Sequence, residues 1–270
     1  MLNKYSKKNI EKIKKSPAPR VLINVCTHGT ERVGLKVARY YKDFRPLNGT
    51  LVINVANELA VAKKKRFIDE DLNRVFPGKK NGNHEQRLAY AMKPYVEAFD
   101  VVLDIHSTET DLRSALIITD YSDNAKPLLK VISPKRVIHM TATKSNALIS
   151  SAKIGIGFEY GKDKSKQTYI DTVKGINNLL SHYKMLKLSP TKRNKKIIDF
   201  FEANSAVPKP EGFQVVQGVK NFSLIKKGSL IGVNKRTKEK IFAEKDFYPI
   251  LFGKNSYKTT FGFSAKKKKL

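Results

Sequence analysis

Apolar residues fall into short β-branched runs separated by stretches with helical spacing. The runs RVLINVCTHG (20–29), GTLVINVAN (49–57) and DVVLDIHS (100–107) are apolar at consecutive positions, as in strands covered on both faces. SALIITD (114–120), RVIHMTA (136–142) and KIGIGFEYG (153–161) read as further strands. Between them, ERVGLKVARYYKDF (31–44), NHEQRLAYAMKPYVEAF (83–99) and YIDTVKGINNLLSHYKML (169–186) have apolar residues near helical spacing. In the second, Leu88, Met92 and Val96 form one stripe behind an Asn83 cap. A short helix is expected from Ile10 to Lys15. Strands alternating with helices predict an α/β fold whose parallel or mixed sheet carries helices on both faces.

The pattern changes after about residue 190. Short runs with Gly and Pro turns follow: KKIIDFFEAN, FQVVQGVK, GSLIGVN, EKIFAEKD, YPILFGK and KTTFGFSA. The expected organisation is a basic segment over 1–18, a main α/β domain over 19–190 and a small all-β domain over 191–270. No internal repeat is present.

Composition narrows the class. The 270 residues carry 53 Lys and Arg against 24 Asp and Glu, a formal charge of +29. Nucleic-acid binders concentrate Arg and aromatics on one face. Here the excess is mostly Lys, scattered in runs such as KKSPAPR, AKKKR, TKRNKK and AKKKKL that fall in expected loops and termini. No specific nucleic-acid partner is expected. No apolar run approaches the roughly 20 residues that span a bilayer, so no membrane partner is expected. The charged N-terminus lacks the apolar core of a secretory signal. The single Cys26 can form no internal disulfide. Together these favour a cytoplasmic location.

The first strand ends in THGTE. His28 stands at the strand's end, Gly29 permits a tight turn, and Glu31 opens the next helix, so both side chains can reach one point. Zinc takes imidazole nitrogen and carboxylate oxygen at about 2.0–2.2 Å, and a catalytic zinc has three protein ligands. The third candidate is His106, at the end of VVLDIH. His84 opens a helix, His139 lies within a strand and His182 late in a helix, which suits them less. Asp104 shares a strand face with His106, which does not by itself place it in a site.

Arginine is sparse, yet Arg66 and Arg74 bracket RFIDEDLNRVFPG. Asn73 and Arg74 offer an amide donor and a planar fork suited to a carboxylate. Arg66 can face the oxygen of a scissile carbonyl. Local salt bridges among Arg66, Asp69, Asp71 and Arg74 account for the same residues. A carboxylate at Glu159, ending a strand that contains Gly155 and Gly157, can take a proton from water.

In this order, THGTE, RFIDEDLNRVFPG, DIHST and GIGFEYG resemble the succinylglutamate desuccinylase/aspartoacylase family, a branch of the zinc carboxypeptidase-like hydrolases. The resemblance covers about residues 20–162, and DLNRVFPG is its most specific piece. It implies a zinc carboxypeptidase-like mixed sheet flanked by helices and one Zn²⁺ per chain on His28, Glu31 and His106. It further implies Arg66 as carbonyl polariser, Asn73 and Arg74 as holders of the substrate α-carboxylate, and Glu159 as general base. Tyr257, in YPILFGKNSYKTTFGF, matches a substrate-reaching tyrosine. Where aspartoacylases carry an Arg that grips a side-chain carboxylate, this chain has Ile149, which argues against N-acetylaspartate.

The expected function is zinc-dependent hydrolysis of an amide, deacylating an N-acyl amino acid that bears a carboxylate. The alternative is a carboxypeptidase-like zinc peptidase acting on short peptides. A basic binding protein with a vestigial site is a third class. Oligomeric state, acyl group and amino acid are not legible.

Overall fold

The computed structural model describes residues 2–108, 112–142, 146–187, 197–253 and 257–269. The helices are α1 (Lys7–Lys15), α2 (Val33–Tyr41), α3 (Glu58–Ala62), α4 (His84–Val96), α5 (Ala125–Ile132) and α6 (Lys166–His182). The strands of the first 160 residues are β1 (Arg20–Val25), β2 (Thr50–Val55), β3 (Val101–His106), β4 (Ala115–Ile118), β5 (Arg136–Met140) and β6 (Gly155–Glu159). Then follow β7 (Asp199–Pro208), β8 (Phe213–Val215), β9 (Leu230–Asn234), β10 (Lys240–Phe242), β11 (Tyr248–Ile250) and β12 (Thr260–Lys268).

Nine strands form one mixed sheet in the order β11-β12-β7-β5-β4-β6-β3-β1-β2. β2, β1, β3 and β6 run parallel, and β4 enters antiparallel beside β6. The consecutive apolar runs have a direct cause. Val21, Ile23 and Val25 pack with α2, α5 and α6 on one face, while Leu22 and Val102 meet α4 on the other. α4 opens as expected on Asn83, whose side chain accepts from Gln86 N–H in a reciprocal capping box. The expected N-terminal helix begins at Lys7, earlier than Ile10. α5 lacks a clear sequence signal because Pro127 falls in its first turn, where proline is tolerated.

The β-rich C-terminal residues divide between two sheets. β7 runs parallel to β5, and β12 and β11 add antiparallel strands to the large sheet. β8, β9 and β10 form the small antiparallel sheet. The expected boundary at 190–191 lies outside the described residues, as does the basic run 191–196. The last basic run is not a free terminus. Lys266, Lys267 and Lys268 lie within β12, and Lys267 and Lys268 pair with Asp199 and Glu202 of β7 at 2.7 and 2.6 Å. No helix among the described residues is long and apolar enough to cross a membrane.

Candidate metal and hydrolytic site

Three strand ends converge on one cavity. Cys26, just beyond β1, adopts a left-handed φ of 56°, which turns the chain out of the sheet. Glu31 N–H then donates to His28 O at 3.1 Å, and this turn brings both side chains together ahead of α2. Gly29 seats the turn. Its N–H donates to Arg66 O at 2.9 Å, and a Cβ there would lie 2.3 Å from the Ala60 carbonyl carbon. β3 ends at His106 and β6 at Glu159, and these two are register partners. Crevices beyond the carboxyl ends of parallel strands are where such folds place ligands.

His28, Glu31 and His106 are buried, and their ligand atoms lie within 4.8 Å of one another. His28 Nδ1 is 2.7 Å from Glu31 Oε1, and His106 Nδ1 is 2.9 Å from Glu31 Oε2. Each imidazole is held from behind. His28 Nε2 is 2.9 Å from Asp71 Oδ1, and His106 Nε2 is 2.8 Å from Asp104 Oδ2. A carboxylate accepting Nε2–H leaves Nδ1 with its lone pair free for a metal. Two imidazoles oriented this way and the carboxylate between them fit a catalytic zinc.

The electrostatics agree. Burial alone would raise the Glu31 carboxyl, but the His28 and His106 imidazoles hold it below the ordinary carboxylate range. Burial opposes charge on His106, yet Asp104 and Glu31 push its pKa well above the usual value. Asp71 is likewise lowered against the effect of burial, chiefly by His28. The cluster favours a positive charge at its centre.

A polar ladder crosses the sheet to support it. Asn54 Nδ2 donates to Asn24 Oδ1 at 2.7 Å, and Asn24 Nδ2 to Asp104 Oδ1 at 2.7 Å. Thr27 Oγ1 donates to the same Asp104 oxygen at 2.8 Å, and Tyr5 OH to Asn54 Oδ1 at 3.2 Å. Buried polar groups are tolerated when bonded in this way, and a connected set rigidifies what it touches.

Beside His106 on the neighbouring strand, burial pushes the Glu159 carboxyl up to about 7, against the lowering effect of His106. Its Oε2 is buried and has no hydrogen-bond partner among the described residues. Arg66 is half exposed. Its Nη1 lies 3.3 Å from Glu31 Oε1 and its Nη2 3.1 Å from His28 Nε2. Asn73 Nδ2 lies 3.4 Å from His106 Nε2 and Asn73 Oδ1 accepts from Leu148 N–H at 2.8 Å. Arg74 Nη1 donates to Asn73 O at 2.8 Å, and its guanidinium sits 5.9 Å from the Tyr257 ring centroid. The cavity of about 1350 Å³ is lined by all eight residues singled out in the sequence.

Ile149 lines the same cavity. Gly155 admits its segment, because a Cβ there would lie 2.1 Å from Ile149 O. Asp71 and the Asn24–Asn54 pair carry no role readable from spacing alone. The one available signal is the repeated Ile-Asn-Val in β1 and β2, a polar residue at a buried position in both. His84 and His139 lie elsewhere, near Asn57 and Glu202.

Residues 17–183 match the profile of the succinylglutamate desuccinylase/aspartoacylase catalytic domain. The chain is 31% identical over 200 residues to an aspartoacylase of Xenopus tropicalis, covering 62% of each chain. It is 29% identical over 175 residues to an N-acyl-aromatic-L-amino acid amidohydrolase (carboxylate-forming) of Rattus norvegicus, covering 54% of each. The chain thus spans between half and two thirds of the length of these relatives. The fold matches the crystal structure of murine aminoacylase 3 with a TM-score of 0.75 at 19% identity, over 93% of this chain and 96% of that one.

Proposed function

This chain belongs to the succinylglutamate desuccinylase/aspartoacylase family, and we propose that it is a zinc-dependent hydrolase that deacylates an N-acyl amino acid. The observation that carries the reading is the pair of carboxylate-backed histidines sharing Glu31, with Glu159 at the next strand end in the same cavity.

His28, Glu31 and His106 would hold the zinc, which supplies a Lewis acid for the amide carbonyl and acidifies water. Arg74 and Asn73 hold the substrate carboxylate. The bond from Arg74 Nη1 to Asn73 O fixes the guanidinium plane, and Tyr257 covers it. Arg66 faces the negative charge that develops on the carbonyl oxygen. Glu159 takes a proton from the attacking water. It then delivers that proton to the leaving nitrogen as the C–N bond breaks, giving a free acid and an amine. Asn73 is bonded to the segment that bears Ile149, so the amino acid's own side chain lies near Ile149, Ile117 and Met140. These three side chains are uncharged and suit an apolar substrate side chain.

Turnover of N-acetyl-phenylalanine, N-acetyl-leucine and N-acetyl-aspartate, their α-carboxamides, and unblocked dipeptides tests the reading. The acetylated apolar amino acids are expected to turn over fastest. Removing the α-carboxylate should cost about 10-fold or more, the scale of hydrogen bonds to a charged group. Cleavage of unblocked dipeptides in preference to acyl amino acids would establish the peptidase instead. Arg74→Lys keeps the charge and loses the fork. It should chiefly raise KM, by about 10-fold, because the clamp acts in ground and transition states alike. Steady-state kinetics on the acetylated substrates read this, and an unchanged KM removes Arg74 from the clamp.

A further inference from the structure

The segment between α3 and α4 carries Arg66, Asp71, Asn73 and Arg74, yet its only regular element is a single 3-10 turn, Leu72–Arg74. Such a segment holds four side chains in register only if its backbone is fixed from outside. Gly29 N–H holds Arg66 O at one end, and a single side chain holds three consecutive amides of the middle. Glu85, in the first turn of α4, is fully buried. Its Oε1 accepts from Ile68 N–H at 2.7 Å and from Asn57 Nδ2 at 2.9 Å. Its Oε2 accepts from Asp69 N–H at 2.9 Å and Glu70 N–H at 3.3 Å. Four donors saturate the carboxylate. Burial would raise its pKa, but the N–H groups of Ile68 and Asp69 hold it below the ordinary range, so it is an anion.

The embrace is reciprocal. Asp69 Oδ2 accepts from His84 N–H at 2.8 Å, and Asn83 Nδ2 donates to Glu70. The same Asn57 that donates to Glu85 caps α3 through Ala60 N–H. Glu85 therefore joins α3, α4 and the middle of the segment, three to six residues from Asn73 and Arg74.

We propose that Glu85 is the positioning residue for the substrate clamp: by holding the backbone of Ile68, Asp69 and Glu70 it sets Arg66, Asn73 and Arg74 against Glu159. This rests on the deacylase reading above. Glu85 does not touch substrate, and His28, Glu31 and His106 lie outside the segment it holds.

Glu85→Gln preserves shape, but its amide NH₂ must face two N–H donors whichever way it turns. The variant should still bind metal through His28, Glu31 and His106, with affinity lowered by no more than Asp71→Asn lowers it, because Asp71 keeps its charge. Its kcat/KM on the best N-acetyl amino acid should fall about 10-fold or more, the scale set by small misplacements of a binding group. Its preference for α-carboxylate over α-carboxamide should shrink by a similar factor. A merely structural residue would lower stability and leave that preference intact. Asp69→Ala, an exposed change that removes the His84 bond alone, should shift the preference in the same direction by less. A folded Glu85→Gln with wild-type preference overturns the proposal; should that variant fail to fold, an Asp69→Ala enzyme with wild-type preference does so. Hydrogen exchange gives a reading independent of the substrate. Amides 68–74 should lose protection in Asp69→Ala while β1 and β3 keep theirs, and unchanged protection at 68–74 also overturns it. Absence of turnover by the wild-type protein on every acyl amino acid would sink the deacylase reading alone.

Discussion

Glu159→Gln is expected to retain metal and substrate affinity and to lose turnover by at least about 10²-fold, the usual contribution of a positioned acid–base group. The amide fills the same space beside His106, so the strand end and the cavity wall persist. What disappears is the capacity to take a proton at Oε2, which is buried and without a hydrogen-bond partner among the described residues. Neither the carboxylate-backed histidines nor the Asn73–Arg74 clamp depends on it. Steady-state kinetics with metal content measured on the same sample separate these contributions. A variant with near wild-type kcat would remove Glu159 from the mechanism.

His28→Ala is expected to abolish stoichiometric metal and, with it, activity. Glu31 and His106 alone leave two ligands where a catalytic zinc uses three. The loss can be graded within one series. Among the described residues Asp71 lies behind His28 Nε2, approaches Arg66, and accepts from Asn73 N–H at 2.9 Å. Asp71→Asn keeps the size and loses the charge, so metal affinity should fall by roughly 10–100-fold, the usual cost of losing a partner behind a ligand. His28→Ala should cost more than that. Elemental analysis and competition with a chelator read both variants without recourse to turnover. Full metal retention by His28→Ala would sink the ligand assignment, and an Asp71→Asn protein as weak as His28→Ala would place Asp71 among the ligands.

Much of this site was legible because its chemistry sits at strand ends. A run of consecutive apolar residues announces a strand buried on both faces, and its last polar residues then face a crevice. His28 and His106 were readable as candidates on that ground, while Glu159 was assigned by the resemblance and its strand-end place agrees with it. Arg66, Asn73 and Arg74 were readable as residue types, with salt bridges to Asp69 and Asp71 as a competing account. The structure contains part of both: Arg66 does approach Asp71, at 3.8 Å, while Asp69 turns to the start of α4.

By itself, then, the sequence determined the strands of the large sheet's first half and the helices α2, α4 and α6, though not α3 or α5, that the sheet is covered on both faces, and which side chains stand at the strand ends. Each follows from local period and local propensity. Only the tertiary structure decided what lies beside what. A strand's period shows its two faces and says nothing about its neighbour, so the Asn54–Asn24–Asp104 ladder waited on the order β2-β1-β3. The C-terminal strands have one texture, yet β7, β11 and β12 extend the large sheet while β8–β10 stand apart, because pairing is settled by contacts distant along the chain. Glu85 shows the same limit at the scale of one residue. In sequence it is an ordinary acidic residue in a helix's first turn, and only the folded chain brings the amides of Ile68, Asp69 and Glu70 to it.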